Sequence, residues 1–301
     1  WDFLTKELGL SEDRLYVTFF QGDEEEKMFP DNETKKIWSN ILSADKIIDG
    51  TKQDNFWEMG KNGPCGPSTE IHIDLRTDSE RNKEAAKLLI NKDHPQVIEI
   101  WNIVFIEFNR KSDGLLDLLP QKHVDTGMGF ERLCMVLQNK TSTYDTDIFL
   151  DLIKMVSSIS KFNYGDNPKT DVAIRVIVDH LRAIVFSIAD GQLPSNTGAG
   201  YVIRRILRRA VRYGYTYLNL KEPFLYQLVE SLSVQFQNIF PEIYNQSSSI
   251  QDVIKQEEDS FFKTLGKGLQ LIKKSIDLLS KNQKVISGSD VFDLYDTYGF
   301  P

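Results

Sequence analysis

EIWNIVFIEFNR, Glu99 to Arg110, is the stretch that decides the fold. Its β-branched and aromatic residues predict one long strand, and Asp113–Gly114 just beyond it is a hairpin signal. Upstream, Thr69 to Leu75 (TEIHIDL) alternates apolar and polar residues, as a half-buried strand does. Leu15 to Phe20 (LYVTFF) also reads as a strand. Asp31 to Leu42 reads as a helix opened by an Asp or Asn cap. Together these predict an antiparallel sheet with helices on one side.

The pattern changes near residue 150 and becomes helical almost throughout. Asp171 to Ile188, Tyr201 to Leu218, Pro223 to Phe240 and Ile250 to Leu279 all carry helical periodicity. Tyr164–Asn167 and Asp190–Gly200 read as turns, and Asn245–Ser249 as a short polar linker. The expected class is α+β, with a sheet domain over 1–149 and an all-α domain over 150–301.

Composition narrows the function classes. No apolar run approaches the roughly 18 residues of a membrane span. The two cysteines, Cys65 and Cys134, lie far apart, which suits a reducing cytoplasm better than a disulfide framework. Without an initiator Met or a basic-then-apolar leader, the chain reads as a piece of a longer protein. The formal net charge of −8 argues weakly against nucleic acid. One basic stretch contradicts that average.

Three stretches could carry chemistry. Asp54 to Thr69 (DNFWEMGKNGPCGPST) is rich in glycine and proline, so it reads as a loop. Such a loop either brings backbone N–H groups close to a ligand or simply joins two strands. Cys65 and Ser68 make no CxxC pair, so no zinc is expected. In Asp125 to Arg132 (DTGMGFER), two alternating glycines precede a Glu–Arg pair at a helix start. Asp125 is a candidate for a ligand ammonium, and Arg132 for a phosphate. A structural Glu–Arg pair at a helix start is the other reading. In Gly200 to Gly214 (GYVIRRILRRAVRYG), Arg204, Arg208 and Arg212 fall at i, i+4 and i+8, with Arg205 and Arg209 beside them. Ile203, Ile206, Leu207 and Ala210 fall on the opposite face. Like charges so close need a partner, either a phosphate backbone or acids from elsewhere in this acidic chain. His72, His94, His123 and His180 show no metal-type spacing.

Taken in order, DNFWEMG…GPCGPSTEIHIDL, EIWNIVFIEFNRKSDG, PQKHVDTGMGFERLCMVLQNKTSTYDTDIF, IRVIVDHLRAIVFSIADGQLPSNTGAGYVIRRILRRAVRYG and LYDTYGFP resemble the alanyl-tRNA synthetases, a class II family. The resemblance covers most of the chain. It implies a partial class II catalytic domain on an antiparallel sheet, followed by a helical tRNA-recognition domain. It implies ATP with Mg²⁺, L-alanine and tRNA(Ala) as ligands and a cytoplasmic location, and it leaves oligomeric state open.

By the same match, DTGMGFER resembles motif 3 of class II synthetases. Arg132 would contact the ATP triphosphate, Asp125 would bind the alanine ammonium, and Gly127 and Gly129 would line the adenylate site. Trp57, Asn102 and Val104 match alanine-pocket positions. Asn196 and Asp296 match residues that read the acceptor-stem G·U pair, with the arginine helix along the tRNA backbone. Ser68 stands where many relatives carry a second Cys. Motifs 1 and 2 would precede Trp1, so residues 1–301 alone are expected to form adenylate poorly. An editing site is expected outside this chain. A non-catalytic tRNA-binding paralogue and an interaction protein with an acidic partner are the competing readings.

Overall fold

The computed structural model describes residues 1–277, 285–289 and 291–292. The chain divides into two compact units, 1–146 and 147–301, so the break falls three residues before the expected 149/150 boundary.

The first unit is built on a six-stranded sheet. Its strands are β1 (Leu15–Phe20), β2 (Ile47–Gly50), β3 (Phe56–Glu58), β4 (Gly63–Asp74), β5 (Val97–Arg110) and β6 (Leu116–Met128). The order is β2-β1-β4-β5-β6, with β3 also paired to β4. Only β1 and β2 run parallel; the other named pairs are antiparallel. Asp31 caps helix α1 (Asn32–Ser39) by accepting from the Thr34 N–H at 2.9 Å. The short helices α2 (Lys52–Asn55) and α3 (Asp78–Lys83) follow, and α4 (Phe130–Leu137) leaves β6 directly.

Alternation splits the sheet into two unlike faces. Leu15, Val17 and Phe19 of β1 and Ile71 and Ile73 of β4 join Trp38 of α1 and Val136 of α4 in one apolar core. Thr18, Ser68, Glu70 and His72 occupy the intervening positions and point to the opposite face. All four are buried.

Two expectations about this unit change. The glycine- and proline-rich stretch is largely strand, because β3 and the start of β4 form a hairpin there. Gly66 is needed within it: a Cβ would stand 1.9 Å from the Phe105 carbonyl oxygen. From Cys65 to Asp74, β4 is buried at every position rather than half-buried.

The second unit is helical: α5 (Asp147–Ser160), α6 (Pro168–Ala189), α7 (Gly198–Tyr217), α8 (Val229–Phe236), α9 (Pro241–Asn245) and α10 (Ser247–Asp277). Asn167 caps α6, and Pro168 fills its first turn, where a missing N–H costs nothing. Ile174, Ile177, Leu181 and Ile184 of α6 are fully buried, as are Leu207 and Val211 of α7. The expected helix over 223–240 is a 3-10 turn at Leu225–Leu228 followed by the shorter α8. The expected linker at 245–249 is almost wholly helical, with Gln246 alone between α9 and α10.

Candidate active site and nucleic-acid interface

The polar face of the sheet is organised from β1 outward. Thr18 Oγ1 accepts from Asn55 Nδ2 at 2.7 Å and from the Glu70 N–H at 3.0 Å. Glu70 Oε2 meets His72 Nε2 at 3.1 Å and accepts from Asn91 Nδ2 at 3.0 Å. Burial opposes ionisation of Glu70, but the bonds from His72, Asn91 and Thr18 outweigh it and hold the carboxyl below its ordinary range. This network braces β4 from beneath.

Register carries the pattern across to β6. Ser68 pairs with Val104, and Val104 with Asp125; Glu70 pairs with Asn102, and Asn102 with Gly127. Directly paired residues project to the same side. Val104 is buried, while Asp125 and Gly127 are exposed. Asn102 and Asp125 are diagonal neighbours, a relation that spans roughly 7–8 Å in a sheet. Trp57 stands on β3 opposite Gly66, in the same row sense as Ser68. Ser68 Oγ, His72 Nδ1 and Asn102 Oδ1 are buried and have no hydrogen-bond partner among the described residues. The unused capacity of Ser68 and Asn102 therefore lies beside Asp125, where a polar ligand could use it, while His72 lies toward the Glu99 end.

Arg132, in the first turn of α4, reaches the same face from the other end. Its Nη1 donates to the Glu99 carbonyl oxygen at 2.8 Å and lies 3.3 Å from Glu99 Oε2. Glu99 pairs with His72, so its side chain belongs to the polar face. A bulge in β5 between Glu99 and Trp101 keeps Glu99 on the face of Val104, and their β4 partners, His72 and Ser68, stand four positions apart, roughly 13 Å at the strand rise. Gly129 caps α4 against the Arg132 side chain. Two cavities of about 440 and 790 Å³ open elsewhere in this unit, around Asp74 and Arg81 and around Phe20, Phe56 and Phe108. Neither is lined by Asp125 or Arg132.

Sequence reasoning passed over Thr18, Asn55, Glu70 and Glu99, and named His72 only as lacking metal-type spacing. The signal existed in TEIHID, where Glu70 and His72 alternate with Ile71 and Ile73 and so share one face. Its use needed the partner strands.

In the helical unit the arginines divide. Arg204 Nε lies 3.1 Å from Glu257 Oε2, and Arg208 Nε donates to Glu257 Oε1 at 2.8 Å. Glu257 is buried on α10, so two of the five arginines meet an internal acid. Arg205 and Arg209 are exposed, and Arg212 is half-buried. Ile203, Leu207 and Ala210 are buried as the opposite face. Asn196 is exposed in the turn before α7 and accepts a hydrogen bond from Arg204 Nη1. Asp296 lies outside the described residues.

This sequence matches the family described as tRNA synthetases class II (A) over residues 1–301. The chain belongs to that family. As a class II synthetase chain it is 56% identical over its whole length to the alanine–tRNA ligase of Cytophaga hutchinsonii, covering 34% of that protein. It is 54% identical to the alanine–tRNA ligases of Flavobacterium psychrophilum and Parabacteroides distasonis, covering 35% of each. It thus spans about a third of the length of the curated relatives it matches. In the synthetase chain, no described helix is long and apolar enough to cross a membrane. No group of three or more His, Cys, Asp or Glu suited to a metal occurs among the described residues.

Proposed function

We propose that the complete polypeptide carrying this chain is an alanine–tRNA ligase. Its reaction runs in two steps. The alanine carboxylate oxygen attacks the α-phosphorus of ATP and expels pyrophosphate. A terminal ribose hydroxyl of tRNA(Ala) then attacks the acyl carbon, releasing AMP and leaving alanine as an ester.

The observation that carries this reading is the diagonal pair Asn102 and Asp125 with Val104 between them. An ammonium offers three donors and no acceptor. The Asp125 carboxylate and the partnerless Asn102 Oδ1 supply acceptors for it. Val104 presents a small apolar wall suited to a methyl group, and Trp57 would close the pocket from β3. Gly127 leaves the space over β6 open, so the adenylate can lie close to the backbone. Arg132, at the Glu99 end of the face, would exchange its Glu99 contacts for a phosphate. The protein's part is then to position reactants and stabilise developing charge.

Mg²⁺ uses one or two carboxylates together with substrate phosphates, so it needs no cage of protein ligands and would arrive with ATP. Its contribution is charge neutralisation on the phosphates.

For the RNA, exposed Arg205 and Arg209, with Arg212, would meet phosphates, and Asn196 with Asp296 would read the acceptor-stem G·U pair. Arg204 and Arg208 would contribute mainly through Glu257. We place the enzyme in the cytoplasm, where cysteines such as Cys65 and Cys134, which form no disulfide, stay reduced. Alanine-dependent ATP–pyrophosphate exchange, followed by charging of tRNA(Ala), tests the proposal. Exchange driven equally well by an unrelated amino acid would contradict it.

A further inference from the structure

The turn that carries Asn196 is folded on itself. The Ser195 N–H donates to the Gly200 carbonyl at 3.0 Å, and Ser195 Oγ donates to the Thr197 carbonyl at 2.8 Å. These bonds fix the backbone but leave the exposed Asn196 side chain free to rotate. Arg204 removes that freedom by donating Nη1 to Asn196 Oδ1. A guanidinium has only donors, so the amide oxygen must face it and the NH₂ must point away. Asn196 therefore offers two outward donors rather than an ambiguous amide, which suits an acceptor on a base edge.

Arg204 is itself held. Its Nε stands 3.1 Å from Glu257 Oε2 as an ion pair, without the alignment of a hydrogen bond. The other Glu257 oxygen takes the Arg208 Nε, whose guanidinium lies 5.2 Å from the Phe261 ring centre. A carboxylate that is 8% exposed and gripped from two sides has little room to move.

We propose that Glu257 is a positioning residue for RNA specificity: through Arg204 it presents the Asn196 amide in one orientation, although Glu257 itself never touches the RNA. The proposal rests on the reading of Asn196 as a base-reading residue. Charge balance alone would be the weaker role for Glu257, neutralising two neighbouring arginines without affecting discrimination.

The experiment uses the complete polypeptide and two tRNA(Ala) transcripts, one with a G·U and one with a G·C acceptor-stem pair. The readout is the ratio of kcat/KM for the two, which divides out any general loss of folded enzyme. Asn196→Ala should lower that ratio by about 5- to 150-fold, the range for one good base contact. Glu257→Gln should lower it several-fold, and the Asn196→Ala/Glu257→Gln double variant should be no worse than Asn196→Ala. Arg204→Lys, which keeps the charge but lacks the planar fork that meets Asn196 and Glu257 from separate nitrogens, should act like Glu257→Gln and serves if the latter folds poorly. If Asn196→Ala lowers the ratio while Glu257→Gln and Arg204→Lys leave it at the parent value, Glu257 is only structural and the inference is overturned. If Asn196→Ala itself leaves the ratio unchanged, the base-reading role fails and the inference falls with it. Alanine-dependent pyrophosphate exchange by the parent protein separates both outcomes from failure of the ligase reading.

Discussion

Val104 and Asp125 face each other across β5 and β6, a buried apolar side chain paired with an exposed carboxylate. In the proposed reading, the pairing would give an amino acid a place for its side chain and a place for its ammonium within one cross-strand step. Shortening the apolar side chain, which enlarges the space, should relax selectivity. Val104→Ala is expected to raise the KM for alanine and narrow its advantage over serine, by about 1–3 kcal/mol at most. Pyrophosphate exchange with each amino acid measures the change.

A substitution at Gly127 would separate the proposed binding role from folding. A Cβ there meets no heavy atom within 4 Å, and its φ is not in the left-handed region. Gly127→Ala should leave Tm unchanged or slightly raised, since alanine restricts the unfolded chain. It should lower kcat/KM for adenylate formation at least tenfold, because the methyl would occupy ligand space. Gly66→Ala should instead lose the fold, given the 1.9 Å approach to the Phe105 carbonyl. Thermal melts paired with exchange rates check both.

Glu258 gives stability a pH dependence. It is fully buried on α10, and its carboxyl is pushed up to about 7 by desolvation, although it accepts from the Phe224, Leu225 and Tyr226 N–H groups at 2.9–3.1 Å. A raised folded-state value means that the native state holds its proton longer than the unfolded chain does. Stability from this group is therefore greatest below the unfolded value near 4.5 and declines as pH rises through about 7. Urea unfolding between those limits should show the decline in the parent. Glu258→Gln, which cannot titrate, should flatten it.

The arginines of α7 should respond in two ways. Arg205→Ala and Arg209→Ala remove exposed charges, so each is expected to weaken tRNA binding and reduce the salt slope by about 1. Arg208→Ala leaves buried Glu257 with one partner fewer and should cost stability, about 3–5 kcal/mol as an upper bound for a buried pair. Filter binding across a salt series and denaturant melts distinguish the two behaviours.

Where hydrophobic period and cap chemistry agreed, the fold was legible in the sequence. LYVTFF became β1 without change, and Asp31 opened α1 as its side chain predicts. β6 was not legible. Its alternation is blurred because most of the strand is exposed, and Pro120 interrupts it, which only an edge strand tolerates. The Asp54–Thr69 stretch looked like a loop because glycine and proline usually mark turns. Here β5 approaches so closely that only glycine fits at position 66. Asp125 and Arg132 could be named from their motif, but their common face depends on β4–β5–β6 register. Glu257 was beyond reach, since it lies 49 residues from the arginine it grips.

The most direct test of the account is alanine-dependent ATP–pyrophosphate exchange by the complete polypeptide carrying Asp125→Ala or Arg132→Ala. Losing a hydrogen bond to a charged group costs about 1.5–3 kcal/mol, so Asp125→Ala should reduce kcat/KM for alanine by about 10- to 150-fold. Arg132→Ala removes a donor where charge develops, for an expected loss of about 10²–10³ in kcat. Exchange near the parent rate in either variant, with the fold intact by melting, would contradict a shared amino-acid and nucleotide site on this face of the sheet.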